Sequence, residues 1–265
     1  MVDLASHRLH ATSPPSATPR VRPIDTQRPW AWLAAGWRDM CAAPLISAFY
    51  GALAVGSSFV LVAGLAMLHM HYLVLPMAAG FMLVGPVLAV GLYESSRLLE
   101  RGERVTPSAV LGAYHRNGTQ IATMGVVLML ALLAWIRVAL LVFAIFFSAE
   151  PPALDQLVTR IFFSSQTIPF LLTGTAVGAV IATAVFAISA VSLPMLLDRE
   201  TDVFTAMATS VDAVRQNGRA MLVWAALIAL FTAAGIATAF VGLAIAFPLI
   251  GHATWHCYRD LVAER

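Results

Sequence analysis

Residues 220–258 read AMLVWAALIALFTAAGIATAFVGLAIAFPLIGHATWHCY, a run of 39 residues without an acidic side chain, Lys or Arg. A single straight helix of this length would be about 58 Å long at 1.5 Å per residue, whereas the hydrocarbon core of a bilayer is about 30 Å thick. The run therefore predicts two membrane-spanning helices, over about residues 220–237 and 240–258, joined by a tight turn near residues 235–242.

The rest of the chain has the composition of a protein that is solvated by lipid. Of its 265 residues, 60% are hydrophobic and 11% are charged, whereas about 25% of the residues in a soluble domain are charged. Four further apolar segments bring the predicted number of spans to six; they cover about residues 45–68, 73–93, 121–147 and 168–197. A nucleic-acid-binding protein needs a clustered basic face on a soluble fold, so nucleic acid is excluded as a partner.

The arginines predict the orientation of these spans. All sixteen basic residues are Arg, and fourteen of them fall at the two termini or in the connections after the second and fourth spans. Arg160 lies in the loop at about residues 148–166, and Arg137 lies inside the third span. Positive charge marks the cytoplasmic side, so we expect a bacterial inner-membrane protein with both termini in the cytoplasm.

The domain organisation follows from the same pattern. Residues 1–28 are rich in Ser, Pro, Thr and Arg and contain no apolar run. Such a composition predicts a disordered cytoplasmic tail and is not that of a secretory signal. Residues 29–265 are expected to form a single transmembrane domain.

Each pair of spans follows an amphipathic segment. Apolar residues at three- and four-residue spacing predict the first such helix over residues 30–40; the second begins at Thr106-Pro107, and the third begins near Asp202. The second and third segments both end in Asn-Gly, and these two pairs lie one hundred residues apart. The pattern predicts an all-α polytopic bundle of six transmembrane helices in three hairpins, each preceded by an interfacial amphipathic helix.

Arg137 is a charged side chain well inside a predicted span. A charge at membrane depth costs roughly 2.5–3.5 kcal/mol on insertion scales and normally faces the interior of the bundle. Arg137 is therefore a candidate binding site for an anion or a lipid headgroup. The alternatives are a structural role, in which the guanidinium donates to backbone carbonyls, and an outward, snorkelling side chain.

Three side chains near the C-terminus are candidate metal ligands. His252 and His256 are four residues apart and share one helix face, and Cys257 lies about 100° further round. A histidine pair at this spacing suits zinc or copper, and one histidine would suffice as an axial haem ligand. The alternative is interfacial packing, with Trp255 and Tyr258 in an aromatic belt. No cofactor is predicted on this pair alone, because a metal site needs further ligands.

Other chemical motifs are weak or missing from the sequence. His69-Met70-His71, between the first two spans, is either an outer copper-handling patch or an ordinary polar turn. The sequence contains no GxSxG, Walker loop, HExxH or CxxC motif and no paired carboxylates deep in a span. We therefore expect the protein not to be an enzyme.

Short motifs spread from residue 28 to residue 256 carry a family resemblance: RPW at 28–30, GWRD at 36–39, GP at 85–86, GLY at 91–93, WIR at 135–137, LPMLLD at 193–198 and PLIGHATWH at 248–256. With these motifs the chain resembles the bacterial integral-membrane family called domain of unknown function 2189, from about residue 22 to the C-terminus. Members of that family are sometimes labelled as cytochrome c oxidase subunits. The resemblance implies a family of unsettled function with a link to respiration.

Three functional hypotheses remain open on the sequence. The leading one is a non-catalytic accessory or scaffold component of a membrane complex, with the lipid bilayer and respiratory or other membrane-complex subunits as partners. The second is a transporter, or a lipid- or anion-binding membrane protein, that uses Arg137. The third is a haem- or copper-handling factor that uses His252 and His256.

Overall fold

The computed structural model describes residues 19–70, 73–147 and 165–263, and most of these residues are helical. We label the helices in chain order as α1 (Arg28–Ala42), α2 (Pro44–Met67), α3 (Val74–Leu88), α4 (Val90–Glu100), α5 (Pro107–Arg116), α6 (Gly118–Phe147), α7 (Thr167–Ser189), α8 (Ser192–Asp198), α9 (Val203–Gln216), α10 (Gly218–Ala237) and α11 (Leu243–Leu261).

Within the described ranges, four helical segments are long and apolar enough to cross a membrane. They are α2, α6, the segment Thr167–Asp198 that contains α7 and α8, and α10. Helices α3 and α4 pass the same test only together, as a pair bent by 42°, and would make a fifth span. Helix α11 does not pass, so the prediction of six spans is not confirmed.

Helix α11 is instead the central helix of the bundle. It packs against α1, α2, α4, α8 and α10, and most of its side chains are buried. Small residues allow this close packing: a Cβ atom on Gly36 of α1 would lie 2.6 Å from the backbone nitrogen of Ala253. Because other helices surround α11, its C-terminal half can carry polar side chains that a lipid-exposed helix would not tolerate.

Prolines interrupt two of the predicted spans. The bend between α3 and α4 lies at Ala89, three residues after Pro86. A proline inside a helix removes one N–H donor and clashes with the carbonyl four residues earlier, which kinks the chain. A second break separates α7 from α8, and Pro194 lies in the first turn of α8. The predicted continuous spans over 73–93 and 168–197 are therefore each divided into two helices.

Helices α1, α5 and α9 occupy the positions predicted for the amphipathic helices. The hydroxyl of Thr106 accepts a hydrogen bond from the N–H of Ala109, and the carboxylate of Asp202 accepts one from the N–H of Thr205 at 2.9 Å. These are N-cap bonds, which satisfy the free N–H groups of a first helical turn. The two predicted helix starts are thereby confirmed.

Two equivalent asparagines connect successive repeat units. Asn117, between α5 and α6, donates to the carbonyl of Thr201 just before α9 at 3.0 Å. Asn217, between α9 and α10, donates to the carbonyl of Arg22 before α1 at 3.1 Å and accepts from the N–H of Ile24 at 2.8 Å. The second unit is thus tied to the third, and the third to the first. These two equivalent links support the repeat, although the three-hairpin arrangement stays a prediction.

Residues 20–24 lie against the C-terminus. Val21 pairs with Val262 in an isolated antiparallel bridge, and the N–H of Arg22 donates to the carbonyl of Leu261 at 2.8 Å. The predicted disordered tail over residues 1–28 is therefore too long at its C-terminal end, because backbone hydrogen bonds hold these residues. Residues 1–18, and residues 148–164 of the predicted outer loop, lie outside the described residues.

Candidate functional site

His252 joins three helices through its imidazole ring, which is fully buried. Its Nε2 atom lies 3.0 Å from the hydroxyl of Ser47 on α2, and its Nδ1 atom lies 2.8 Å from the hydroxyl of Ser96 on α4. A neutral imidazole has one donor nitrogen and one acceptor nitrogen. The two serines therefore occupy both positions, and His252 ties α11 to α2 and α4.

His256 lies one turn further along and pairs with α1. Its Nε2 atom is 2.8 Å from the carboxylate of Asp39. Burial by itself would raise the pKa of Asp39, but hydrogen bonds from His256 and Ser96 outweigh it and hold that pKa below its ordinary value of 3.8. Cys257 is fully buried in the hydrophobic core. The three predicted metal ligands thus have separate environments.

No group of three or more His, Cys, Asp and Glu side chains within the described ranges is placed to hold a metal ion. The structure does not bring His252, His256 and Cys257 together as one ligand set. His69 lies in the turn after α2 with a φ of 57°. His71, the other member of the predicted outer copper-handling patch, lies outside the described residues.

Arg137 lies on the outer surface of α6. Its side chain is exposed, so the expectation that it faces the interior of the bundle is wrong. The inward-facing residue of this segment is Trp135, whose Nε1 donates to the carbonyl of Pro76 at 2.8 Å and whose ring contacts Gly178. The exposed position of Arg137 favours the snorkelling alternative.

A buried ion pair lies on α4. Glu94 and Arg97 are one turn apart, and each side chain is 4% exposed. Both Nε and Nη2 of Arg97 donate to the carboxylate oxygens at 2.6 Å, and Arg116 approaches the same carboxylate at 3.6 Å. A two-pronged bond of this kind offsets the large cost of removing both charges from water.

Further polar contacts join the ends of α4, α8 and α11. The hydroxyl of Tyr258 donates to Asp198 at 2.8 Å and accepts from Nε of Arg199 at 2.8 Å. Arg259 binds Glu100 at 3.0 Å and lies 3.8 Å from Asp198. We call the whole set the ionic cluster; it consists of Glu94, Arg97, Glu100, Asp198, Arg199, Tyr258 and Arg259. Since each of its carboxylates already has a positively charged partner, the cluster is suited to holding helices together rather than to acid–base chemistry.

The sequence signals for the ionic cluster are uneven. Glu94 and Asp198 directly follow the predicted second and fourth spans, at their cytoplasmic ends. The Glu94–Arg97 pair has a local signal, because residues three apart share a helix face. The Tyr258–Asp198 and Arg259–Glu100 bonds join residues 60 and 159 positions apart, so no local pattern predicts them.

An apolar cleft of about 580 Å³ lies between α3, α7, α10 and α11. Its walls contain both bulky and small side chains, including Phe81, Pro86, Ala182, Phe186, Leu222, Trp224 and Phe247. Pro86, after which the chain bends, and the small residues Ala179 and Ala182 of α7 are among the lining residues. Sequence reasoning did not predict this cleft.

Three of the hydroxyls in the cleft walls are turned onto their own helices, whereas Nε1 of Trp224 has no hydrogen-bond partner among the described residues. The hydroxyls of Thr183, Ser189 and Thr254 each donate to the backbone carbonyl four residues earlier, at 2.7 Å. A hydroxyl engaged in this way has already used its one donor. Trp224 is fully buried, with its ring edge-on to Trp32 at 5.5 Å. The cleft therefore presents mainly hydrocarbon surface.

A comparison with models of protein families finds one family that part of this chain resembles. The model described as "Predicted integral membrane protein (DUF2189)" matches residues 74–198, from the start of α3 to the end of α8. Slightly less than half of the chain is therefore similar to the DUF2189 family. The resemblance to domain of unknown function 2189 is thereby confirmed, and the chain is an integral membrane protein of unknown function with several apolar helices.

The DUF2189 match is narrower than the resemblance suggested. It contains Glu94, Arg97 and Asp198 and the α3 and α7 walls of the cleft. The motif at residues 248–256 lies beyond it. A comparison with curated proteins found no match, and a comparison with solved structures found none either.

Proposed function

We propose that this protein is a non-catalytic integral membrane protein that binds a hydrophobic molecule of the bilayer in the cleft. The observation that carries this proposal is the cleft itself, about 580 Å³ of mainly carbon-lined space beside two candidate spans. Binding sites for small molecules typically measure about 300–1,000 Å³ and are lined mostly by apolar side chains.

A lipid-like chain suits this cleft better than a polar solute. Ala182 of α7 and Leu222 of α10 line the cleft and are exposed, so the cleft opens where a bilayer would place lipid tails. A polar solute would lose its hydration there and would need hydrogen-bonding partners. The engaged hydroxyls of Thr183 and Ser189 do not offer donors. Arg137 does not line the cleft, so this proposal does not depend on it.

Native mass spectrometry of the protein purified from its own membrane tests the proposal. We expect at least one hydrophobic molecule to remain bound to each chain. Ala182→Phe narrows the cleft and should reduce retention several-fold. Ala184→Phe is the matched control, because Ala184 is exposed on the same helix and does not line the cleft. Equal retention by the wild type and Ala182→Phe contradicts the proposal.

An accessory or scaffold role in a membrane complex is a second candidate. Each amphipathic helix carries a large exposed apolar side chain: Trp30 is 55% exposed on α1, Leu111 is 59% exposed on α5 and Phe204 is 77% exposed on α9. Such side chains either enter the membrane interface or pack against another subunit. A stoichiometric partner that co-purifies in mild detergent and is lost in Phe204→Ser supports this role. A protein that elutes alone contradicts it.

Location and cofactor content are proposed on separate grounds. The one-sided distribution of arginines supports an inner-membrane protein with both termini in the cytoplasm. The engagement of both ring nitrogens of His252 by serines supports a protein without a resident haem or copper. An absorption spectrum with a haem band, or stoichiometric copper in the purified protein, contradicts the proposal that the protein holds no haem or copper.

A further inference from the structure

One end of the cleft lies where α9 stops and α10 starts. Val214, Gly218 and Leu222 line the cleft there. Arg215 directly follows Val214, Arg219 directly follows Gly218, and both arginines are exposed. Two exposed cations therefore lie at the junction of α9 and α10, each next in sequence to a residue that lines the apolar cleft.

These two arginines differ from the arginines of the ionic cluster. Arg97 and Arg259 have carboxylate partners at 2.6 and 3.0 Å. Among the residues that the structure describes, no carboxylate lies within ion-pair distance of Arg215 or Arg219. This includes Asp212, which precedes Arg215 by one turn on α9. No carboxylate in the described ranges therefore neutralises the positive charge at the junction of α9 and α10.

The position of the opening matches the layout of an amphiphile. Helix α9 is amphipathic, whereas α10 is a candidate span, so the break at Asn217 marks a boundary between polar and apolar surroundings. The phosphates of a bilayer lie at such a boundary, with acyl chains beyond it. An amphiphile with its head beside Arg215 and Arg219 would place its tail in the cleft.

We infer that the cleft binds an anionic phospholipid, with an acyl chain between α7 and α10 and its phosphate bound by Arg215 and Arg219. This inference rests on the proposed function of the cleft. Guanidinium groups bind phosphate oxygens through paired N–H donors. A basic residue beside anionic lipid contributes about fivefold to binding, so the two arginines together should give roughly a twenty-five-fold preference over a zwitterionic lipid.

The test uses the full-length protein in nanodiscs that contain equal amounts of phosphatidylglycerol and phosphatidylcholine with identical acyl chains. Native mass spectrometry after a mild detergent wash counts the retained molecules of each lipid. The wild type should retain phosphatidylglycerol with a roughly twenty-five-fold preference over phosphatidylcholine. The double variant Arg215→Gln/Arg219→Gln should retain the same number of lipids with almost no preference. The double variant Arg215→Lys/Arg219→Lys should keep most of the preference, because it keeps the charge.

A matched pair elsewhere controls for total charge. Arg38 and Arg104 are exposed and do not line the cleft, so Arg38→Gln/Arg104→Gln should keep the preference. An unchanged preference in Arg215→Gln/Arg219→Gln overturns the inference, and so does an equal loss in the control pair. Either result leaves the cleft proposal intact. Lipid retention that Ala182→Phe does not reduce overturns the proposed function instead.

Discussion

Glu94→Gln removes the charge from the most buried carboxylate of the ionic cluster. The side chains of Glu94 and Arg97 are each 4% exposed, and two hydrogen bonds of 2.6 Å join them. Glutamine keeps one acceptor oxygen but leaves the Arg97 guanidinium buried without its counter-charge. Nη1 of Arg97 already has no hydrogen-bond partner in the described part of the chain. Breaking one side of a buried pair costs roughly 3–5 kcal/mol.

Thermal denaturation in detergent, followed by the helical circular dichroism signal, measures this cost. For a chain of this size 1 kcal/mol corresponds to about 2–4 °C, so Tm should fall by roughly 6–20 °C. Arg28→Gln is the matched control, since it breaks the Arg28–Asp260 pair, whose side chains are 47% and 25% exposed. Exposed pairs contribute roughly 0–1 kcal/mol, so the control should change Tm by only a few degrees.

The double variant Glu94→Leu/Arg97→Met separates charge from packing. It replaces both charged groups by apolar side chains of similar volume, which removes the desolvation cost together with the attraction. Its stability should therefore exceed that of Glu94→Gln and approach that of the wild type. The reasoning is refuted if Glu94→Gln lies within about 1 kcal/mol of the wild type, or if the double variant is less stable than Glu94→Gln.

Three further predictions concern the same bundle. The pKa of Asp39 is held below 3.8, so its pair with His256 stabilises the fold above that pH, and this stabilisation is lost as the pH falls through the folded-state pKa. The denaturation midpoints of the wild type and Asp39→Asn should therefore converge only as the pH falls below 3.8. Gly36→Ala should lower the free energy of unfolding by roughly 1–3 kcal/mol, because its Cβ would lie 2.6 Å from a backbone atom of α11. In the control Gly112→Ala the new Cβ has no neighbour within 4 Å, so thermal denaturation should show an unchanged or slightly higher stability. The exposed Cys41 should react with a membrane-impermeant maleimide in inverted vesicles and not in intact spheroplasts; the opposite labelling would contradict cytoplasmic termini.

The positions of the helices could be predicted from local patterns. The turn expected near residues 235–242 lies between α10, which ends at Ala237, and α11, which begins at Leu243. Thr106 and Asp202 cap the helices that they were expected to start. Helix hydrogen bonds and cap bonds join residues three or four positions apart, so the information that specifies them is present in short segments.

The candidate site was less predictable from sequence. His252 and His256 stood out as unusual on an apolar helix, but metal binding was only one hypothesis for them. Their partners Ser96 and Asp39 lie 156 and 217 positions away. A short-range sequence pattern does not predict partners so far apart. The cleft between α3, α7 and α10 also depends on how segments distant in sequence pack together.

The sequence by itself determined that this is a helical protein of the membrane, where two of its amphipathic helices begin, and where the turn before α11 lies. Only the tertiary structure decided that α11 is enclosed by other helices, that Arg137 points outward, and that an apolar cleft lies between α3, α7, α10 and α11. The physical reason is that helix formation depends on neighbouring residues, whereas burial depends on the surfaces that distant helices bring together.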